Sequence, residues 1–489
     1  MRNYILILSL LVGSLASLTA DKKVPSVLFV VCDDLNTHLS PWGYKHIETP
    51  ALERLAAESV RFRRAFCQYP VCGPSRASFL SGLYPESTGV LNNTVDIRDE
   101  RPGTITMPQF FKENGYWTAS VGKVFHNVNQ EHGDIAWNEH VRFVNDELPL
   151  VTAARKKFET EQGSVEKPAN RKAWRELRQK VLVGLDSQTP PGYGRSGLTD
   201  EQHKDGKNAR QVVKWFEEKP YGEKPFFIAL GIHKPHVAFL APEKYFDMYP
   251  VEEIVYEADD PDLWENLPST AKSNRYVAFG FESGKENDVL RREYMQAYHA
   301  CITFVDTQIG LVLDALKENG RWENTIVVFT SDHGFHLGEH FLWGKVSLFD
   351  IGAKVPFMIR APGLSKSGSS SEAMVELIDL FPTLADLSGL KVPDHLQGQS
   401  LRSLLSNPEG LGQRDYAYSV VSRGKNLGYS LRDQRWRYGK WPDGEELYDL
   451  TRDPQEKRSL AENPEHTRRL KEFRQALSAK QKMAASRRR

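Results

Sequence analysis

Four short apolar runs along the chain each break off into polar residues that a strand interior would not carry. Ser26 to Val31 passes through Cys32 into Asp33-Asp34, and Tyr116 to Val121 leads into Gly122-Lys123-Val124-Phe125-His126. Phe226 to Ile232 ends in His233-Lys234-Pro235-His236, and Thr325 to Thr330 in Ser331-Asp332-His333-Gly334. Unbroken rather than alternating apolarity marks parallel strands covered on both faces, and in open sheets of that kind ligands sit outside the carboxyl ends of the strands. The pattern predicts four distant segments delivering ionisable groups to one edge. Helical patterns fall between them. Thr106 to Gln109 reads as a capping box opening a helix that stops at Asn114-Gly115. Tyr294, Ala297, Tyr298, Cys301, Ile302, Val305, Ile309, Val312 and Leu316 recur at helical spacing and end at Asn319-Gly320. Alternation of this kind predicts an α/β fold built on a mostly parallel, doubly wound sheet.

Two stretches interrupt the pattern. Residues around 140 to 205, with Thr189-Pro190-Pro191-Gly192, and residues around 252 to 290 read as insertions over the strand ends, where specificity is usually set. Ser365 to Ser371 reads as a loop within the main domain. After about Gly398 the character changes: Tyr416 to Val421, Gly428 to Arg432 and Arg435 to Lys440 look like short antiparallel strands, followed by Asp453-Pro454 and a last helix rich in lysine and arginine. The expected organisation is a signal peptide over 1–20, a catalytic domain over 21–397 and a smaller α+β domain over 398–489.

The first twenty residues set the compartment. Arg2, an apolar stretch from Tyr4 to Val12, and small residues ending at Leu18-Thr19-Ala20 have the layout of a secretory signal, with cleavage near Ala16 or Ala20. That predicts an exported protein, periplasmic or secreted, or lysosomal in a eukaryote, with no stable membrane insertion. No later stretch approaches transmembrane length on this reading. Lysines plus arginines equal aspartates plus glutamates at 64 each, so no global field points to nucleic acid or a membrane surface; an anionic substrate must meet a local basic pocket. The four cysteines, Cys32, Cys67, Cys72 and Cys301, form no disulfide framework. Cys32 and Cys301 lie in apolar runs and read as core residues.

Cys72-Gly-Pro-Ser-Arg76 sits where a helix begins, with the apolar residues Ala77, Phe79 and Leu80 following. Backbone N–H groups and the positive end of the helix dipole stabilise negative charge there, and Arg76 adds a fixed bidentate clamp. Asp33, Asp34 and Asp332 are three carboxylates at neighbouring strand ends whose repulsion calls for a hard divalent ion, Ca²⁺ or Mg²⁺. Each aspartate alone is common at a turn, and each lysine or histidine alone reads as a surface or hydrogen-bonded residue; convergence is what gives them weight.

The pentapeptide resembles the Cys-x-Pro-Ser-Arg signature of the type I, formylglycine-dependent sulfatases of the alkaline phosphatase superfamily. The likeness runs from about Ser26 to about Glu462 and, within that family, is strongest to enzymes acting on 2-sulfated iduronate. Its further matches are Val-Cys-Asp33-Asp34-Leu, Phe-Lys-Glu-Asn-Gly-Tyr at 111 to 116, Val-Gly-Lys123-Val-Phe-His126, His233-Lys-Pro-His236, Val305-Asp306-Thr307-Gln308, Ser331-Asp332-His333-Gly334, Leu337-Gly338-Glu339-His340 and Trp343-Gly-Lys345. Position 73 is glycine where the signature often has alanine, serine or threonine. The resemblance implies a large mixed, mostly parallel sheet sandwiched by helices, with a C-terminal antiparallel sheet. It implies oxidation of Cys72 to formylglycine (3-oxoalanine) by a formylglycine-generating enzyme. It further implies one calcium ion, with magnesium the lesser choice, held by Asp33, Asp34, Asp332, His333 and residue 72. His333 enters the ligand set on the resemblance alone, since imidazole is an unusual ligand for a hard ion. Arg76, Lys123 and Lys345 would surround the sulfate, His126 would orient or deprotonate the aldehyde hydrate, and His236 would protonate the departing sugar oxygen. The family pattern places that acid directly after the proline, which selects His236 over His233. The activity implied is removal of a sulfate ester from a uronic acid, such as 2-sulfated iduronate, at a polysaccharide end. A phosphonate monoester or phosphodiester hydrolase, and a non-catalytic glycan-binding homologue, are the alternatives.

Overall fold

The computed structural model describes residues 24–126, 133–144, 148–181, 192–272 and 287–486; the expected signal segment and Thr189 to Pro191 lie outside them. In chain order the strands are β1 (Ser26–Asp33), β2 (Val60–Phe66), β3 (Trp117–Gly122), β4 (Glu139–Val141), β5 (Tyr193–Arg195), β6 (Phe226–Pro235), β7 (Phe239–Ala241), β8 (Thr325–Ser331), β9 (His336–Leu337), β10 (Trp343–Gly344), β11 (Phe357–Arg360) and β12 (Ser369–Glu376). A C-terminal set follows: β13 (Ala417–Arg423), β14 (Asn426–Arg432), β15 (Trp436–Trp441) and β16 (Gly444–Asp449).

Eight strands form the main sheet in the order β12-β2-β11-β8-β1-β6-β3-β4. Only β11 runs against its neighbours. The central strand β1 explains the layering. Leu28, Val30 and Cys32 point into one core, with Val212 and Trp215 from the helix Lys204–Glu218 and Tyr298 and Val305 from the helix Asp288–Glu318. Val27, Phe29 and Val31 point into a second core, with Phe79 and Leu80 from the helix Cys72–Ser81 and Phe381 and Leu384 from the helix Leu380–Leu387. Both faces of β1 are thus dry, which is why its sequence is apolar without alternation. Each buried side chain of this size contributes roughly 1.5–3 kcal/mol. The sheet sandwiched by helices and the smaller C-terminal unit are the architecture the sequence pattern predicts.

Several details differ from that pattern. The helix Met107–Glu113 forms, but Thr106 makes no side-chain cap; Gln109 instead bonds Glu113 at 2.9 Å and Arg98 at 3.2 Å. β12 begins at Ser369, so the serine-rich loop is shorter than expected, and its register alongside β2 carries polar residues that composition reads as a turn. The C-terminal sheet has a fourth strand, β16, formed by Gly444–Asp449. The insertion after β4 holds two helices, Pro149–Gln162 and Arg171–Val181. The helix Asp288–Glu318 is long and apolar enough to cross a bilayer, contrary to the expectation that no later stretch is, but it lies in the core beneath the sheet. Leu401, Leu404 and Leu405 still pack in the main core, while Tyr418, Tyr438, Leu447 and Phe473 build the core of the smaller unit.

Candidate active site

Register places the site. Cys32 in β1 is opposite Ser331 in β8, so Asp33-Asp34 and Asp332-His333 leave adjacent strands side by side. Asp34 takes a left-handed backbone conformation (φ 63°), sparsely populated for a residue with a side chain. Tyr298 holds it there: its hydroxyl donates to Asp34 O at 2.8 Å and accepts from Asn36 N at 2.9 Å. Lys123 leaves β3 beside β6, with its N–H on Gly231 O at 2.9 Å. A Cβ at Gly231 would lie 2.1 Å from the Lys123 carbonyl carbon, so the two backbones meet this closely only through glycine. Cys72 is the first residue of its helix, buried at the strand edge.

The side chains converge on the Cys72 sulfur. Lys345 Nζ lies 3.0 Å from Sγ, His333 Nε2 3.4 Å and Asp34 Oδ1 4.0 Å. His333 Nδ1 donates to Gly334 O at 2.9 Å, and its Nε2 faces Asp34 Oδ1 at 3.3 Å and Asp332 Oδ1 at 3.5 Å. One donor atom each from Asp33, Cys72, Asp332 and His333 lie within 4.8 Å of one another, and so do donors from Asp34, Cys72 and His236. Asp34 Oδ2, fully buried, accepts no hydrogen bond among the described residues, and its near neighbour is His236 Nε2 at 3.8 Å. An orphaned carboxylate oxygen amid three buried aspartates and a correctly turned imidazole is a donor set that fits a divalent cation.

The three cations expected around the sulfate stand among the carboxylates. Arg76 Nε donates to Asp332 Oδ2 at 2.9 Å, and its other donors meet Asp33 Oδ1 at 3.5 Å and the carbonyls of Val124 at 3.0 Å, Cys32 at 3.4 Å and Lys123. All five guanidinium N–H groups are thereby engaged. Arg76 thus knits the carboxylates together, because a buried guanidinium next to two buried aspartates finds partners there. Lys123 and Lys345 bind Asp33 Oδ2 and Asp34 Oδ1, the latter at 2.5 Å. Burial opposes ionisation of Asp33, yet Lys123, His236 and Arg76 hold it well below the usual carboxylate range. Burial likewise opposes Asp34, which Lys345 and His236 hold low, whereas for Asp332 burial outweighs Arg76 and pushes the carboxyl up. Burial, joined by the charge of Asp33, pushes the Cys72 thiol up to about 12, so an unmodified thiol here stays protonated. Burial and then Lys123 press His126 down to about 3. His236, with a third of its ring exposed, is pressed to about 4 by burial against the pull of Asp34. Both imidazoles are neutral at neutral pH.

Other residues brace the site without showing in the sequence patterns. Asp205, in the first turn of the helix Lys204–Glu218, accepts the backbone N–H groups of His233 and Lys234, both at 2.9 Å, and fixes the loop carrying His236. His233 itself turns toward Asp205 at 3.4 Å, away from the cysteine cluster. Asn93 Oδ1 accepts Gly73 N at 2.8 Å and fills the space a Cβ at 73 would need. Ser75 Oγ donates to Asp332 O at 2.5 Å. Val346, next to Lys345, adopts φ 66°, an outlier for a β-branched residue. It is held by its N–H on Pro70 O at 3.0 Å and by Arg423 of β13 on its carbonyl. Aspartate at a helix start and an arginine in a distant hairpin are too common for sequence to single out.

With this geometry in view, comparison with known proteins gives the family. The Sulfatase family pattern matches residues 25–390, and the pattern described as N-sulphoglucosamine sulphohydrolase, C-terminal, matches residues 338–483. A sulfatase of Formosa agariphila is 35% identical over 447 residues, spanning 88% of this chain and 82% of that protein. Iduronate 2-sulfatase of Mus musculus is 31% identical over 494 residues, spanning 85% and 84%. Among solved structures, the phosphonate monoester hydrolase of Agrobacterium radiobacter superposes with a TM-score of 0.75 at 22% identity, covering 94% of this chain and 96% of that one, a likeness of fold. The chain belongs to the sulfatase family.

Proposed function

We propose that this sulfatase removes a sulfate ester from a sulfated sugar, a uronic acid such as 2-sulfated iduronate at a polysaccharide end, with residue 72 as its nucleophile after conversion of the cysteine to formylglycine. The observation that carries the reading is the placement of Cys72 Sγ at a helix start, 3.0 Å from Lys345 and 3.4 Å from His333, inside a cage of three buried aspartates. The hydrated aldehyde supplies one hydroxyl that attacks sulfur and a second whose deprotonation expels sulfate, which a serine could not do. Asp33, Asp34, Asp332 and His333 would hold one divalent cation, Ca²⁺ in preference to Mg²⁺ as the resemblance to the sulfatases implies, and the ion would supply Lewis-acid polarisation of the sulfate.

The chain's own groups do the rest. Lys123 and Lys345 carry ammonium heads on flexible stems and offset charge developing on the sulfate oxygens, worth about 10²–10³ in rate for a single donor. Arg76 acts as a positioning residue, fixing Asp33 and Asp332. His126, neutral beside Lys123, can accept a proton from the hydrate. His236 stands on the side where the sugar leaves; the negative charge of a bound sulfate favours its second proton, which it passes to the departing oxygen. The segment over 1–20 supports export to the periplasm or beyond. Support for the iduronate-type substrate comes from the 31% identity to iduronate 2-sulfatase, shared along most of both chains.

Sulfate release from a panel of sulfated mono- and disaccharides, including 2-sulfated iduronate, tests the substrate, with Cys72→Ala as the inactive control. Turnover confined to other sugars would replace the iduronate reading. The likeness of fold to a phosphonate monoester hydrolase favours one second reading, hydrolysis of phosphonate monoesters. Faster turnover of a phenyl phosphonate than of the matching aryl sulfate would select it. An intact thiol at residue 72 in active-site-competent protein would leave a glycan-binding homologue.

A further inference from the structure

The insertion after β4 folds into a helical hairpin, Pro149–Gln162 against Arg171–Val181, whose small apolar seam includes Val151, Phe158 and Val165 and a ring contact between Phe158 and Trp174 at 5.7 Å. Its charge is unlike that of the rest of the chain. Residues 148–181 carry nine lysines and arginines against four glutamates, while the whole chain is balanced at 64 of each sign, so the remainder is net acidic. On the second helix Arg171, Arg175 and Arg178 fall at i, i+4 and i+7, which stacks them along one exposed face; Trp174 and Leu177 take the half-buried side. Lys156 and Lys157 on the first helix are exposed as well.

Both ends of this insertion are tied to the segment that carries His236. At its entry, Val144 O accepts Lys207 Nζ at 3.5 Å, in the same helical turn as Asp205, whose carboxylate holds His233 and Lys234. At its exit, β5 pairs in parallel with β7, three residues beyond His236, and Gly192 O accepts Phe239 N at 2.9 Å. Pro149, at the start of the first helix, packs at Gly197. Both ends of the hairpin are therefore anchored beside the segment that carries His236, the residue proposed above to protonate the departing sugar oxygen.

We propose that the exposed basic face of this hairpin is a docking surface for the chain of a sulfated polysaccharide, engaging sulfate and carboxylate groups distal to the one being cleaved. The inference rests on the sulfatase reading for its occupant: a polymer end presented at residue 72 has its remaining length on the His236 side, where a stripe of guanidinium groups offers repeated bidentate contacts to oxyanions. Neutralising a few exposed charges changes affinity for a polyanion through long-range attraction, which is steep at low salt and screened within about 8 Å at physiological ionic strength.

The test compares the full chain with the variant Lys156→Gln/Lys157→Gln/Arg171→Gln/Arg175→Gln, all solvent-exposed helix positions, using dextran sulfate as the binding probe and an aryl sulfate as the small substrate. The expected result is a dissociation constant for dextran sulfate raised about tenfold or more at low salt and nearly insensitive to added salt, with aryl sulfate turnover unchanged. Glu161→Gln/Glu176→Gln, which removes anions from the same hairpin, is expected to tighten dextran sulfate binding. Unaltered affinity and salt dependence in the first variant would overturn the docking surface. A wild-type chain that binds dextran sulfate through these residues yet hydrolyses no sulfate ester would leave the surface standing and remove the enzymatic reading.

Discussion

Lys345 shows how much one residue contributes at this site. Its ammonium touches both the Cys72 sulfur at 3.0 Å and Asp34 Oδ1 at 2.5 Å, so it links the nucleophile position to the carboxylate cage. Lys345→Met is expected to lower kcat on an aryl sulfate by about 10²–10³ with KM little changed, because the lost charge acts on the transition state. Steady-state kinetics decides; a rise confined to KM would reduce Lys345 to a ground-state binder. The carboxylates make a second prediction. Prolonged chelation should abolish turnover, because the three clustered aspartates and the orphaned Asp34 Oδ2 call for a divalent cation, and Ca²⁺ should restore it more fully than Mg²⁺ if the resemblance to the sulfatases holds for the ion as well. Full activity in protein shown to be metal-free by elemental analysis would contradict this.

At the scale of elements, the strands were readable because parallel burial leaves a plain mark: Val27 to Cys32 are all buried and alternate between two cores. The polar residues at the strand ends were readable for the complementary reason, that Asp33, Lys123, His236 and Asp332 have no place in a strand interior. Composition could not show where Arg76 would find its partners, since a guanidinium serves an anionic substrate or a buried aspartate equally well, and only the three-dimensional placement of Asp33 and Asp332 decides. Asp205 and Arg423 were invisible because they act through backbone groups of other segments. β16 was not among the expected strands: its opening Gly444-Glu445-Glu446 is polar, although Glu446 turns inward to meet Arg437 at 2.7 Å. Close strand contact yields a prediction here. Gly231→Ala would press a methyl group into the Lys123 backbone, so it is expected to cost about 1–3 kcal/mol or more and to lower kcat by displacing Lys123. Thermal unfolding and kinetics check the two effects together; a variant as stable and as active as the parent would show that the strands can part without consequence.

The whole molecule couples its two units through buried charge. Arg414 pairs with Glu376 at 2.6 Å and Asp379 at 2.6 Å, and Tyr418 N donates to Glu376 Oε1 at 2.7 Å, joining the end of β12 to the start of β13. From there β13 reaches the active site: Val420 N bonds Gln68 O at 2.9 Å and Ser419 Oγ bonds Cys67 O at 2.5 Å in the lead to Cys72, and Arg423 holds the carbonyl of Val346 beside Lys345. The C-terminal sheet is thus part of the catalytic frame. Arg414→Met leaves buried Asp379 without its cation and Glu376 with Lys480 alone at 3.7 Å, and is expected to cost about 3–5 kcal/mol, with activity falling along with stability. Denaturant unfolding measures the first and turnover the second; loss of stability with undiminished turnover would separate the smaller unit from the chemistry.

Mass spectrometry of the proteolytic fragment spanning Cys72-Gly-Pro-Ser-Arg76, from protein made in a host able to modify sulfatases, tests the central claim most directly. The account predicts 3-oxoalanine or its hydrate at residue 72 in the fraction that hydrolyses sulfate esters. Full activity in protein whose residue 72 is entirely unmodified cysteine would contradict it.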